Sequence, residues 1–257
     1  VHAHSYGYFQ VNAAALRRRL GRRPFVVTPH YHPPWSMWGG QKRKTVRSVY
    51  DRIFARPVLD SADAIIGVSA HEMELMTRVG HDTSKVRIIP NGIDFSRFEP
   101  IPSPRPFMEG YGKKLGGGPM VLYAGRLSSN KGLEVLVDSM PTVLKEHPDT
   151  AFVLVGEDEG MKDVLRRKAR KLGVAGSLQF TGHIRDDCTF LSAFAACDVF
   201  VLPSEYEAFG IVLLEAMACG KPVIGARVGG VPEAIGDECA GLLVEYGEST
   251  GLAGSIS

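Results

Sequence analysis

The stretch "MVLYAGRLSSNKGLEVLVDSMPTVLKEHPDTAFVLVG" (residues 120–156) strings together a continuous apolar run, a glycine turn, an amphipathic segment and a second apolar run. Strands covered on both faces are apolar throughout, and a helix packed on one side is apolar every three or four residues. The stretch therefore predicts strand, helix and parallel strand. The same grammar continues downstream. "AFVLVG" (151–156) leads to "MKDVLRRKARKLG", "SLQFTG" (177–182) to "CTFLSAFAAC", "DVFVLP" (198–203) to a helix opening near Gly210, and "KPVIGA" (221–226) to "VPEAIG", with "AGLLVE" (240–245) last. Repeated strand and helix predict a doubly wound α/β domain over 120–257.

Residues 1–99 follow the same pattern, with "PFVVTP" (24–29), "ADAIIGVS" (62–69) and "VRIIPNG" (86–92) as strands of an incomplete second Rossmann-like domain. Between the two, "PIPSPRPFMEGYGKKLGGGP" (100–119) holds five prolines and five glycines and predicts a linker without helix or strand. Lys and Arg exceed Asp and Glu by 9 over residues 1–117 and fall short by 7 over 118–257, so the halves are expected to meet different partners.

The 257-residue chain, 44% hydrophobic and 23% charged, can bury a full core. No apolar run reaches the roughly 18 residues of a spanning helix, and no signal-peptide pattern opens the chain, so a cytoplasmic protein is expected. Cys188, Cys197, Cys219 and Cys239 lack paired metal-ligand spacing and read as buried reduced thiols. "VHAHSYGYF" opens without Met in what reads as the end of a strand, and "YGESTGLAGSIS" stops just after a strand, so the chain is expected to be a fragment at both ends.

In open sheets of this kind ligands bind at the carboxyl ends of the strands. After the first strand of the second domain, "GRLSSNKG" sets Arg126 and Lys131 on one loop that leads into a helix N-terminus. Two cations beside free helix amides suit a diphosphate, although a solvated basic loop has the same composition. After the fourth strand, "EYEAFGIVLLEAMACG" (205–220) sets Glu207 and Glu215 at either end of an apolar run with no polar face, a helix expected to be buried nearly all round. An ionised carboxylate out of water needs hydrogen-bond donors, so each Glu requires either an Arg or Lys from elsewhere or a ligand. A vicinal diol such as that of ribose could donate twice to Glu215.

Glu207 and Glu215 with seven residues between them, the "GRLSSNKG" loop, "IPNGID" (89–94), "GGVPEAI" (229–235) and "CDVFVLPS" (197–204) together resemble glycosyltransferase family 4. The resemblance covers nearly the whole chain. It implies a GT-B fold, two Rossmann-like doubly wound domains facing a cleft with the first incomplete here, and retaining transfer of a hexosyl group. It further implies that Glu207 faces the donor sugar, Glu215 binds the ribose, and Arg126 and Lys131 hold the diphosphate. Backbone amides around Phe209, Gly210 and Ile211 would add the positive end of the following helix. By the same resemblance His30, in "TPHYHP", contacts the donor sugar near the reacting centre, and His183, in "FTGHI", lies in the base-binding loop.

His2, His4, His30 and His32 also form two H-x-H pairs, which sets zinc ligation against that reading of His30. The basic stretches "LRRRLGRRP" (16–24) and "QKRKTVR" (41–47) suggest contact with an anionic membrane carrying a lipid-linked acceptor, or simply a solvated face. Trp35 and Trp38 between them line an acceptor pocket or pack in the core.

The expected activity is transfer from a UDP- or GDP-linked sugar to a glycan, lipid or small-molecule acceptor, with no nucleic-acid partner and a fragment poorly active alone. Charge developing on the leaving diphosphate is the main thing to stabilise. Same-face attack, with the departing phosphate taking the acceptor proton, is favoured over double displacement. No D-x-D signature follows a strand in the right setting, and "GEDEG" (156–160) reads as a solvated loop, so no cofactor and no metal are expected. A glycoside hydrolase would need no cationic clamp; a nucleotide-sugar epimerase and a non-catalytic nucleotide-sugar-binding module are the alternatives.

Overall fold

Burial on both faces explains why short, uniformly apolar segments become the strands of this chain. The computed structural model describes residues 1–5, 8–21, 23–31, 41–78, 81–236 and 240–257. They form two compact units, one of Val1–Asn91 with Glu207–Phe209, the other of Gly92–Tyr206 with Gly210–Ser257.

In the first unit, β1 (His2–His4) is followed by α1 (Phe9–Gly21) and β2 (Val26–Thr28). A long helical segment then runs from α2 (Gln41–Tyr50) through a π-helical stretch (Asp51–Ala55) into α3 (Arg56–Ser61). β3 (Ala64–Gly67), α4 (Ala70–Arg78) and β4 (Val86–Ile88) complete it. The four strands are parallel and ordered β1-β2-β3-β4. Val27 and Ile65, at the middle of the sheet, are fully buried. The three runs read as strands in this half are β2, β3 and β4, and the opening residues pair as β1.

The second unit begins with α5 (Arg105–Tyr111), then β5 (Met120–Ala124), α6 (Leu133–Glu146), β6 (Ala151–Val155), α7 (Lys162–Lys171), β7 (Leu178–Gly182) and α8 (Asp187–Ala196). It continues with β8 (Val199–Leu202), α9 (Ile211–Ala218), β9 (Val223–Ala226), α10 (Val231–Ile235), β10 (Gly241–Val244) and α11 (Ser249–Ile256). All pairings are parallel and the order is β10-β9-β8-β5-β6-β7. The chain thus builds outward from β5 and returns to its other side at β8, which makes the β5/β8 carboxyl ends the switch point where such sheets take ligands. Every residue of β5 and β6 is buried. α6 covers the sheet with Leu133, Leu136, Val137, Met140 and Val143, a helical stripe in which each buried side chain contributes about 1.5–3 kcal/mol.

Three expectations are corrected. Residues 100–119 are not a structureless linker, since α5 lies within them. Phe107 is fully buried, its amide donates to Ser192 Oγ on α8 at 2.9 Å, and its ring stacks on Tyr111. Pro106 sits in the first turn, where a missing N–H costs nothing, so counting prolines misleads here. The division between units falls instead at Asn91/Gly92, because Phe98 is buried in the second unit and Arg97 pairs with Asp187 there.

α9 is not enclosed all round. Leu213 and Ala216 are buried against the sheet side, but Ile211 is 42% exposed and Glu215 is half-buried. Cys197 and Cys219 are buried as expected, whereas Cys188, in the first turn of α8, is exposed. Cys239, His32, Trp35 and Trp38 lie outside the described residues.

Candidate functional site

The loop that leaves β5 carries Arg126 and Lys131 and is fixed at both ends. On one side it is zipped to the loop after β6: Gly125 N donates to Val155 O at 2.9 Å, Leu127 N to Glu157 O at 2.8 Å, and Glu159 N to Leu127 O at 3.0 Å. On the other side a short turn, Ser129–Lys131, ends at Gly132, and Glu205 N donates to Asn130 O at 3.0 Å. Gly132 has φ +63°, and a Cβ there would overlap the carbonyl oxygen of Pro203 just after β8. Only glycine combines that conformation with that approach. The carboxyl ends of β5, β6 and β8 are thereby held together, and α6 starts at Leu133 directly behind the loop.

The "GEDEG" segment is exposed at Glu157, Asp158 and Gly160, as read from the sequence, and is also hydrogen-bonded into this arrangement. Asp158 Oδ1 accepts from the amides of Lys162, Met161 and Gly160 at 2.9–3.0 Å and caps α7. Those amides, that of Lys162 foremost, hold its carboxyl below the usual range. Glu159 Oε1 lies 2.9 Å from Arg126 Nη1. A cavity of about 510 Å³ opens between the β6 and β7 ends, lined by Leu127, Glu157, Lys162, Phe180, His183 and Arg185 among others. His183 itself is exposed.

Glu215, within α9, has its carboxyl pushed up by burial, with the Arg97 guanidinium pulling it down and Asp187 pushing it up. Asp187 already takes Arg97 through two contacts of 2.6 Å. The cation nearest in effect to Glu215 is therefore largely committed elsewhere, and the carboxylate keeps capacity for outside donors. Gly210, buried with φ +94°, is the N-cap of α9, which starts at Ile211. Glu207 is half-buried and Phe209 buried; both group with the first unit.

In that unit His30 follows β2 with φ +46°, a conformation uncommon outside glycine and a local strain worth noting at a strand end. Its Nε2 lies 3.3 Å from His4 Nδ1 and the rings stack, with His2 against His4 in turn. Burial, then the neighbouring His4, lower the His30 pKa, which favours the neutral imidazole. Among the described residues no group of three or more His, Cys, Asp or Glu could hold a metal ion.

Sequence reasoning missed Glu72. This fully buried carboxylate on α4 accepts from Tyr31 N at 2.5 Å and Val68 N at 2.6 Å, so it ties the loop after β2, which carries His30, to the loop after β3. Ser69 Oγ, which accepts from Glu72 N at 3.1 Å, donates to Ala208 O at the same length. In "AHEMELM" the residue looks like any helix-surface acid, and only the sheet topology reveals that two strand ends need its oxygens.

Residues 110–257, more than half of the chain, match the model of glycosyl transferases group 1. The chain belongs to that family. Residues 1–97 match the model of Glycosyltransferase Family 4, so the family read from the five motifs together is borne out over nearly the whole length. One relative is the GDP-mannose-dependent alpha-(1-6)-phosphatidylinositol monomannoside mannosyltransferase of Mycolicibacterium smegmatis, 34% identical over 239 residues, covering 90% of this chain and 59% of that protein. Among solved structures, sucrose-phosphate synthase from Thermosynechococcus elongatus superposes with a TM-score of 0.80 at 27% identity, covering 99% of this chain and 62% of the other. Anabaena Alr3699/HepE, solved in complex with UDP and glucose, does so at 0.79 and 27%, covering 96% and 64%. These likenesses bear out the GT-B fold of this group 1 chain, which spans about six-tenths of the length of those proteins.

Proposed function

We propose that the protein to which this chain belongs is a retaining hexosyltransferase that takes a hexosyl group from a UDP- or GDP-linked sugar and delivers it to a glycan, lipid or small-molecule acceptor. The observation that carries this reading is the Arg126–Lys131 loop, pinned by Gly132 against Pro203 at the switch point of the second sheet. Two cations on a rigid loop in front of α6 suit the diphosphate, and stabilising the charge that grows on it as the sugar leaves lowers the barrier most. They do so without a metal. Glu215 offers its carboxylate to the ribose diol, the amides of Gly210 and Ile211 add to the phosphate field, and the cavity beside His183 has room for the base. By the family resemblance Glu207 and His30 are assigned to the donor sugar, and the Phe209 amide joins those of Gly210 and Ile211 at the diphosphate. Without a carboxylate nucleophile in this scheme, the acceptor attacks from the face the diphosphate leaves.

The relatives support both donor classes, one named for GDP-mannose and another solved with UDP and glucose. Contact with an anionic membrane fits the first unit, where Phe9, Leu16, Leu20, Val46, Ile53 and Phe54 are exposed among basic residues of α1 and α2. Among the described residues no helix is long and apolar enough to cross a membrane.

The test is turnover of the full-length protein with radiolabelled UDP- and GDP-hexoses. Transfer of label to an acceptor, lost in Arg126→Ala, supports the reading. A changed sugar without an acceptor would instead identify an epimerase, and saturable binding without turnover a binding module.

A further inference from the structure

Arg126 is already paired: Glu159 Oε1 sits 2.9 Å from its Nη1, while Glu159 Oε2 is buried without a hydrogen-bond partner. The loops that carry the two residues do not need this pair to stay together. Backbone hydrogen bonds at Gly125, Leu127 and Glu159 join them on both sides of it, and a Cβ on Gly156 would overlap the Gly125 carbonyl, so the backbones are in direct contact. Arg126 is 53% exposed, and an ion pair open to water adds little to stability. Asp158, the neighbouring acid, is occupied in capping α7 and cannot take over the role. The main effect of the Glu159 carboxylate is therefore electrostatic: it neutralises the cation that would meet a diphosphate.

We propose that Glu159 is an internal stand-in for the diphosphate, holding Arg126 while the site is empty and yielding it when a nucleoside diphosphate binds. The inference rests on the reading of Arg126 and Lys131 as the diphosphate clamp. A guanidinium fork satisfies phosphate oxygens better than one carboxylate oxygen, so the ligand wins the exchange. Glu159 is then left beside a dianion with its own oxygens short of donors, which repels the ligand and disfavours the bound state. The residue thus lowers affinity for the diphosphate and hastens its departure, a useful property where the diphosphate is the product.

The test is calorimetric titration of the full-length protein with UDP and GDP, and with uridine and guanosine, for the wild type, Glu159→Gln, Glu159→Ala, Arg126→Ala and the double variant Arg126→Ala/Glu159→Gln. Both Glu159 variants are expected to bind the preferred diphosphate roughly threefold to tenfold more tightly. The gain should vanish in the Arg126→Ala background and be absent for the nucleosides. Unchanged or weaker diphosphate binding by Glu159→Gln, with Arg126→Ala still impaired, overturns the proposal alone. Wild-type affinity in Arg126→Ala overturns the clamp itself, and the proposal with it.

Discussion

A Cβ on Gly132 would lie only 1.8 Å from the carbonyl oxygen of Pro203, so the loop bearing Lys131 and the end of β8 meet backbone to backbone. Gly132→Ala should force them apart. The substitution combines a left-handed backbone with a steric overlap and is expected to cost about 2 kcal/mol or more. A lowered Tm together with loss of nucleoside diphosphate binding is the expected result; full binding at wild-type Tm would contradict this account of the loop.

Glu215 joins stability to binding with opposite signs. Burial raises its carboxyl above the ordinary value of 4.5, so the folded state binds its proton more tightly than the unfolded state. Stability is then lost as pH rises from 4.5 through the raised value, and the ionised carboxylate is destabilising at pH 7. Glu215→Gln should therefore raise Tm at pH 7, with the gain shrinking to nothing below pH 4.5, while weakening nucleotide binding. Thermal melts from pH 4 to 8 check the sign.

Glu72 predicts the opposite outcome for truncation. Glu72→Ala leaves the amides of Tyr31 and Val68 buried without acceptors, at about 1–3 kcal/mol each. Denaturant unfolding should show a loss of about 2–6 kcal/mol, and hydrogen exchange should rise at Tyr31 and Val68 before it rises in the second unit.

Thiol chemistry offers an independent check on burial. Desolvation pushes the Cys197 thiol up to about 12 and the Cys219 thiol to about 11, while Cys188 is exposed. Labelling at pH 8 read by mass spectrometry should modify Cys188 well before Cys197 or Cys219, since only the thiolate reacts. Equal rates would show that the core of the second unit opens readily.

The strands of both units were legible because parallel strands buried on two faces leave no polar residue in the run, as in "MVLYA" and "AFVLV". The Arg126–Lys131 loop and Glu215 were legible because strand-end position and charge are local properties. What sequence concealed depends on contacts distant along the chain. α5 forms because Phe107 finds a pocket against α8, Glu72 is buried because two strand ends converge on it, and Glu159 meets Arg126 from 33 positions further along the chain. The exposure of Ile211 likewise follows from where α9 sits over its sheet, not from its all-apolar composition.

The central claim, a nucleoside diphosphate held by Arg126, Lys131 and Glu215, is tested most directly by calorimetric titration of the full-length protein with UDP, GDP and ADP, repeated for Arg126→Ala and Glu215→Ala. Saturable binding of one nucleotide, weakened roughly tenfold to a hundredfold by each substitution, is the predicted result, in line with the loss of charge-assisted hydrogen bonds. Binding of none of the three by a folded protein, or binding indifferent to both substitutions, would contradict it.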